Sequence, residues 1–575
     1  MSEVMKRKLF DLLLTPRPVC VHWGEVARAL LVATSCMAAV SLLGSAMAYS
    51  APLPPDAGQI LESVRPAPAA PTARPALPQR DEATRPALTG PGTFQIPLRG
   101  IRITGATLYP AATLEALLHD AIGGKLTLSE LDALAQRITR YYRDHDCMLA
   151  RAYIPAQDIK EGIVEIAVLE GHYGEIVLRN QSSLKDRAVR SLVRPLQPGR
   201  VITGRAVERV TLLADDLHGI EAAATLRPGS AVGTSDFVLE FREGRQRDGS
   251  LEFDNSGSRY TGRYRLGGSI AFNNPAGIGD RFSARVLSSG KGLVYGQLGY
   301  QLPLGYSGTT LGLSLTQADY QLGDDFAYLD ASGTARIAGV TLNHALIRSA
   351  QFNLRGRIGF DYKKLRDRDI SGSTDKQSRA VSLGLLGDLD GQFGKSNFSA
   401  LWYSGNLDAP ATVAGTPGGF NKLALSASHQ RYLGSGFSFT AAYSGQLASK
   451  NLDSSEKMSL GGPNGVRAYP QAEAGGDDAH LINFELRRSL EPLAYGSLDL
   501  MLLADFGVSR LVHETWVGYT GASVRRLSSV GLGLAYKTPG NWSLRADYAW
   551  KLGSQTALSE PDSPGRFWLQ ATKLF

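Results

Sequence analysis

Few residues in this 575-residue chain are equipped for chemistry, and their spacings exclude more reactions than they suggest. The segment LDGQFGKS (residues 389–396) ends in the Gly-Lys-Ser of a phosphate-cradling loop, but Leu389 stands where a leading glycine is required. It reads as a turn, and nothing else in the chain offers a site for nucleotide hydrolysis. The nine histidines show no HExxH or other ligand-like spacing, and of the three cysteines Cys20 and Cys36 fall in the first fifty residues. Cys147 alone cannot build a zinc site or a disulfide, so neither metal nor cofactor is expected. His145 and Cys147 end an amphipathic segment, where a helix terminus and a core thiol are the expected roles. No Gly-x-Ser-x-Gly nucleophile turn occurs, and the chain reads as a non-enzyme. One charged group still asks for a partner. In GGPNGVRAYP (461–470), Arg467 lies between the apolar Val466 and Tyr469, after the turn-forming Gly461, Gly462, Pro463, Asn464 and Gly465. On a surface such a turn would leave Arg467 solvated and its apolar neighbours wasted. In a dehydrated setting the guanidinium needs a carboxylate, which its planar fork can bind in two places.

What positions that turn is read from the rest of the chain. The formal charge of +7 is the difference of 61 basic and 54 acidic residues spread without long runs, which gives no reason to expect nucleic acid as a partner. Lys6, Lys8, Arg17 and Arg28 precede the apolar run of residues 29–44, and Ala46-Met47-Ala48 follows as a small-x-small cleavage pattern. Residues 1–48 therefore read as a signal peptide, the run being shorter than the roughly 20 residues a spanning helix needs. Within 49–66, PDAGQILESV suits a short helix. Residues 67–93 form a proline- and alanine-rich linker of extended type.

From residue 94 to 172 the pattern is compact and mixed. A strand-like FQIPLRGIRITG leads to TLEALLHDAI, with Leu114, Leu117, Leu118, Ala121 and Ile122 at helical spacing. A second helix begins at a capping box of Thr127 and Glu130 and carries an expected buried stripe of Leu131, Leu134, Ile138 and Tyr141. Two strands, CMLARAYI and GIVEIAVLEG, complete a β-α-α-β-β order. Residues 173–245 repeat it, which points to two copies of one small domain whose open sheet edges can accept a strand from another chain.

After residue 245 helical periodicity stops, and 246–575 reads as short alternating strands. In FNLRGRIGF, Phe352, Leu354, Gly356, Ile358 and Phe360 share one face, while Asn353, Arg355, Arg357 and Gly359 share the other. A soluble sandwich is the plain alternative. About 330 residues in strand-plus-turn units of about 20 give about 16 strands, an even number suited to a closed outer-membrane barrel with its apolar face in lipid. The last strand, GRFWLQATKLF, places Phe567, Leu569 and Ala571 on one face and ends in Phe575. This resembles the C-terminal signal read by the barrel-assembly machinery during biogenesis. Lys573 departs from the apolar residue expected there and would snorkel to the interface.

Taken in order, LLADDLHGIEAAATLRPGSAVGTSDFVLEFREG, DNSGSRYTGRYR (254–265), NNPAGIGD (273–280), YQLPLGYSG (300–308), QLASKNLDSSEKMSLGGPNGVRAYP, GGDDAHLINFELR and LLADFG make the chain resemble the two-partner secretion transporters, the outer-membrane family of haemolysin activators and filamentous-adhesin exporters. The resemblance implies a mainly β fold: a plug helix and linker, two periplasmic POTRA domains and a 16-stranded antiparallel transmembrane barrel. It implies an outer-membrane protein whose partners are outer-membrane lipid and a large exoprotein with an N-terminal secretion domain, whether haemolysin, adhesin or contact-dependent toxin. By the same resemblance, Arg467 of the VRAY motif (Val466, Arg467, Ala468, Tyr469) meets Asp505 of DFG on the inner barrel wall and locks a lid loop. Ala468 departs from the glycine usual there, and if φ were positive its Cβ would cost about 1 kcal/mol. An assembly insertase of the same superfamily typically has more than two POTRA domains, and a diffusion porin would need none.

Overall fold

The computed structural model describes residues 54–64, 79–80, 95–159, 161–410, 415–490, 495–517 and 519–575, so the expected signal peptide and most of the expected linker lie outside the described residues. The first element, helix α1 (Ala57–Ser63), starts at Asp56, whose side chain accepts from the Gln59 amide.

The first α+β unit follows the expected order. A three-stranded sheet joins Gly100–Thr104, Ile163–Leu169 and Arg151–Tyr153, the first two in parallel. Against it pack helices α2 (Ala111–Ala116) and α3 (Leu128–Asp144). Both halves of the capping box at Thr127 and Glu130 form. The stripe of α3 differs at its end: Tyr142, four residues beyond Ile138, is fully buried, and Tyr141 lies nearer the surface. The Tyr142 hydroxyl donates to Glu170 Oε1 at 2.8 Å, which gives the buried phenol a partner. α2 is also shorter than its apolar spacing suggests; it ends at Ala116, and Ile122 is exposed. Of CMLARAYI only Arg151–Tyr153 is strand.

In the second unit, His172–Gln181, Thr234–Glu243 and Ile220–Pro228 form a sheet covered by helices α4 (Asp186–Leu192) and α5 (Gly204–Asp215). Its edge strand Ile220–Pro228 is not free. The linker segment Gln79–Arg80 pairs with it in parallel, Gln79 opposite Thr225 and Arg80 opposite Leu226.

Sixteen antiparallel strands, from Arg247–Asp254 to Gly565–Leu574, close into a barrel where Ser250 to Asp254 pair with Leu574 to Gln570. The period-two pattern of FNLRGRIGF is realised in the strand Phe352–Asp369, where Ile358 and Phe360 are exposed on the outer face and Asn353 is buried on the inner one. Phe567 and Phe575 are likewise exposed. The Lys573 ammonium reaches the Gly540 carbonyl, beside the rings of Trp542 and Phe575. α5 fastens the second unit to the barrel. Arg348 grips Asp216 with Nε and Nη2 at 2.8 and 2.7 Å, and Arg209 Nη2 donates to the Ala345 carbonyl at 2.9 Å.

Candidate lid and plug site

Among the described residues, two segments that are not part of the wall occupy the barrel: α1 and the long loop 449–477. α1 is apolar enough to bury Ala57, Ile60 and Val64 against Tyr260, Leu293, Tyr320 and Phe326 of the barrel. Its ends are held by polar groups. The Ala57 amide donates to Asp367 Oδ1 at 2.8 Å, and Arg265 Nη1 donates to the Ser63 carbonyl at 3.0 Å. Asp56 Oδ2 accepts from Lys376 Nζ at 3.1 Å and from Ser454 Oγ at 2.6 Å, so the helix touches the loop as well as the wall. No side chain fits at Gly58, where a Cβ would collide with Ser454 and the Ser455 amide.

The loop folds inward and is fixed along its length. On the descending limb, Asp453 pairs with Lys376 at 2.9 Å, and Glu456 pairs with Lys363 and Lys422 at 2.6 and 2.9 Å. At the tip, a tight hairpin opens at Gly461 and Gly462, the latter with φ +111°, which favours glycine. Val466, Ala468 and Tyr469 are buried together with Leu460 and Ala474. Ala468 does not have a positive φ, so the conditional penalty for its Cβ does not arise. The left-handed alanines of the loop are instead Ala472 and Ala474, at φ 64° and 54°.

The structure brings Arg467 and Asp505 together. Asp505, on the strand Ser497–Arg510, is wholly buried and Arg467 nearly so. Arg467 Nη2 donates to Oδ1 at 2.7 Å, Nε lies 3.1 Å from both oxygens, and the Arg467 backbone amide donates to Oδ2 at 3.0 Å. Asn483 Nδ2 and Ser529 Oγ add donors at 2.8 and 2.7 Å. These two residues face Asp505 because the ladder sets Asn483, Asp505 and Ser529 opposite one another across three strands. Trp568 Nε1 donates to the Arg467 carbonyl at 2.7 Å. Sequence reasoning missed Asn483, Ser529 and Trp568. Their inward parity was readable strand by strand, but the register that aligns them was not.

A buried charge pair with this many hydrogen bonds is costly to break from one side, because the remaining charge keeps its desolvation cost and loses its compensation. The arrangement is therefore suited to holding a loop in one place.

Comparison with known proteins agrees with this architecture. The profile of the POTRA domain, ShlB-type, matches residues 96–171, and that of the haemolysin secretion/activation protein ShlB/FhaC/HecB matches residues 233–536. The chain belongs to the ShlB/FhaC/HecB family. Among relatives, this family member is 29% identical to the heme/hemopexin transporter protein HuxB of Haemophilus influenzae, over 84% of this chain and 88% of that one. It is 25% identical to the outer membrane transporter CdiB of Dickeya dadantii, over 76% of this chain and 80% of the relative. The fold of CdiB from Escherichia coli superposes with a TM-score of 0.70 at 20% identity, covering 97% of this chain and all of that one. The chain is thus a two-partner secretion transporter of the outer membrane, with its POTRA domains on the periplasmic side. Its family members are transporters and not enzymes.

Proposed function

We propose that this transporter captures an unfolded exoprotein in the periplasm through its POTRA domains and passes it through the barrel to the cell surface or medium, without nucleotide hydrolysis. The observation that carries the reading is a closed barrel whose interior holds two segments outside its wall, α1 and the loop 449–477, both held by polar contacts. A wall that is complete without its contents can be emptied without breaking its ladder. The edge strand Ile220–Pro228 is able to pair with an added strand, since it already holds Gln79–Arg80 of the linker, and capture by backbone pairing there requires the client to displace that two-residue segment. The client is a large exoprotein with an N-terminal secretion domain. The names of the relatives, a heme/hemopexin transporter, CdiB transporters and a hemolysin transporter, set the classes to try first. Folding of the client outside the cell supplies a directional bias.

In this reading Arg467 and Asp505 lock the lid loop, while Phe567 and Phe575 are read during barrel assembly. Arg467→Ala and Asp505→Ala should each reduce client secretion and alter channel conductance in planar bilayers. Wild-type secretion and conductance in both variants would remove the lock from the account.

A further inference from the structure

The ascending limb of the lid loop carries a carboxylate that the Arg467 lock does not use. Glu473 is 1% exposed and pairs with Arg525 Nη1 at 3.1 Å, Arg525 itself being 4% exposed. The other hydrogen bonds of its carboxylate all go to residues 552–564, the connection between the last two barrel strands. Glu473 Oε1 accepts from the Leu558 amide at 2.9 Å, and Oε2 accepts from the Ser559 amide at 2.8 Å and from the Ser559 hydroxyl. Arg525 Nη2 donates to the Thr556 carbonyl at 2.6 Å, so the ion pair as a whole grips this segment. The lid tip reaches the same segment, with the Tyr469 hydroxyl donating to the Gln555 carbonyl at 2.9 Å and Ala557 packing among Leu460, Val466 and Tyr469. Glu560 in turn accepts from the Arg259 amide at 2.9 Å and from Arg566 at 3.0 Å, tying the segment across to the loop after the first barrel strand. The backbone is bent to make this possible. Ala472 and Ala474, on either side of Glu473, are both left-handed, a conformation side-chain-bearing residues avoid unless their surroundings hold them there.

We propose that Glu473 is a latch through which the lid loop holds residues 552–564 as a strap across the outer mouth of the barrel. The strap is a closure separate from the Arg467–Asp505 lock, and it opens when the ascending limb moves. This rests on reading the lumen as the export path.

The test uses the full chain in intact cells, with Cys147→Ser removing the one cysteine beyond the expected signal peptide and Ala557→Cys as the reporter. A membrane-impermeant maleimide is applied from outside. Because Ala557 is buried, labelling should be slow with Glu473 present and at least about tenfold faster in Glu473→Ala, with raised conductance in planar bilayers. Unchanged labelling overturns the latch, and faster labelling with unchanged conductance overturns the strap as a closure. Heat-modifiable gel mobility checks barrel assembly. Should Glu473→Ala fail to assemble, Leu558→Pro removes one of the amide donors from the strap side and is read by the same criteria. Client export by the wild-type chain, assayed in the same cells, tests the export reading separately.

Discussion

Asp505 illustrates how one carboxylate can organise a site. It accepts from the guanidinium and amide of Arg467, from Asn483 and from Ser529, so its partners differ in what each loss should do. Ser529→Ala removes a single hydrogen bond and should cost about 1 kcal/mol, whereas Asp505→Asn takes away the carboxylate that hydrogen-bonds the buried Arg467, leaving only Glu485 Oε2, 3.7 Å from Nη1, as counter-charge, and should cost about 3–5 kcal/mol. Protease accessibility of the loop 449–477 in a denaturant series ranks the two, and equal effects would contradict this assignment. Glu170, in the first POTRA domain, makes a second residue-scale prediction. Burial pushes its carboxyl up, but hydrogen bonds from the Leu108 and Thr107 amides, the Thr107 hydroxyl and Tyr142 outweigh it and hold the group below its ordinary range. A carboxyl depressed by folding stabilises the folded state above its unfolded pKa, and that contribution fades as pH falls through the depressed folded value. Hydrogen exchange at Thr107 and Leu108 in the full chain should therefore show protection at pH 7 that weakens toward strongly acidic pH. Glu170→Gln should flatten that dependence. At this scale the sequence exposed the charged residue in its odd setting, Arg467, and motif order supplied Asp505. It hid Glu473, because a glutamate within QAEAGG reads as solvated until the chain is seen folded around it.

The elements divide by whether their instructions are local. α3 announces itself through its capping box and stripe, and α1 through AGQILES after an aspartate, because cap and periodicity are set within one helix. The exchange of Tyr141 for Tyr142 shows the limit: both positions lie within reach of the apolar face, and a distant acceptor, Glu170, decides between them. The linker's pairing with Ile220–Pro228 was equally out of reach, since a two-residue strand has no pattern of its own and exists only beside its partner. α1 itself gives a prediction at this scale. Gly58→Leu cannot be accommodated against Ser454 and Ser455, and Asp56→Ala removes the acceptor shared by Lys376 and Ser454. Both variants should displace α1 and raise mean conductance in planar bilayers while leaving barrel assembly intact. Closed channels like those of the wild type in both would contradict the placement of α1 as a plug.

The whole molecule is a wall with two faces and a guarded interior. Alternation along each strand was legible from the sequence because burial in lipid and exposure to the lumen demand opposite residue types at neighbouring positions. Strand number followed from length and turn spacing, whereas closure, register and the path of the loop depend on pairings between residues far apart in the chain. That alternation also permits a direct test of export through the lumen. A client carrying a tightly folded C-terminal domain will stall in transit, and a photoreactive residue can replace either Arg357, on the inner face, or Ile358, on the lipid face of the same strand. The account predicts a client adduct from position 357 and none from position 358. Adducts from neither position, or equally from both, would contradict passage of the client through the barrel.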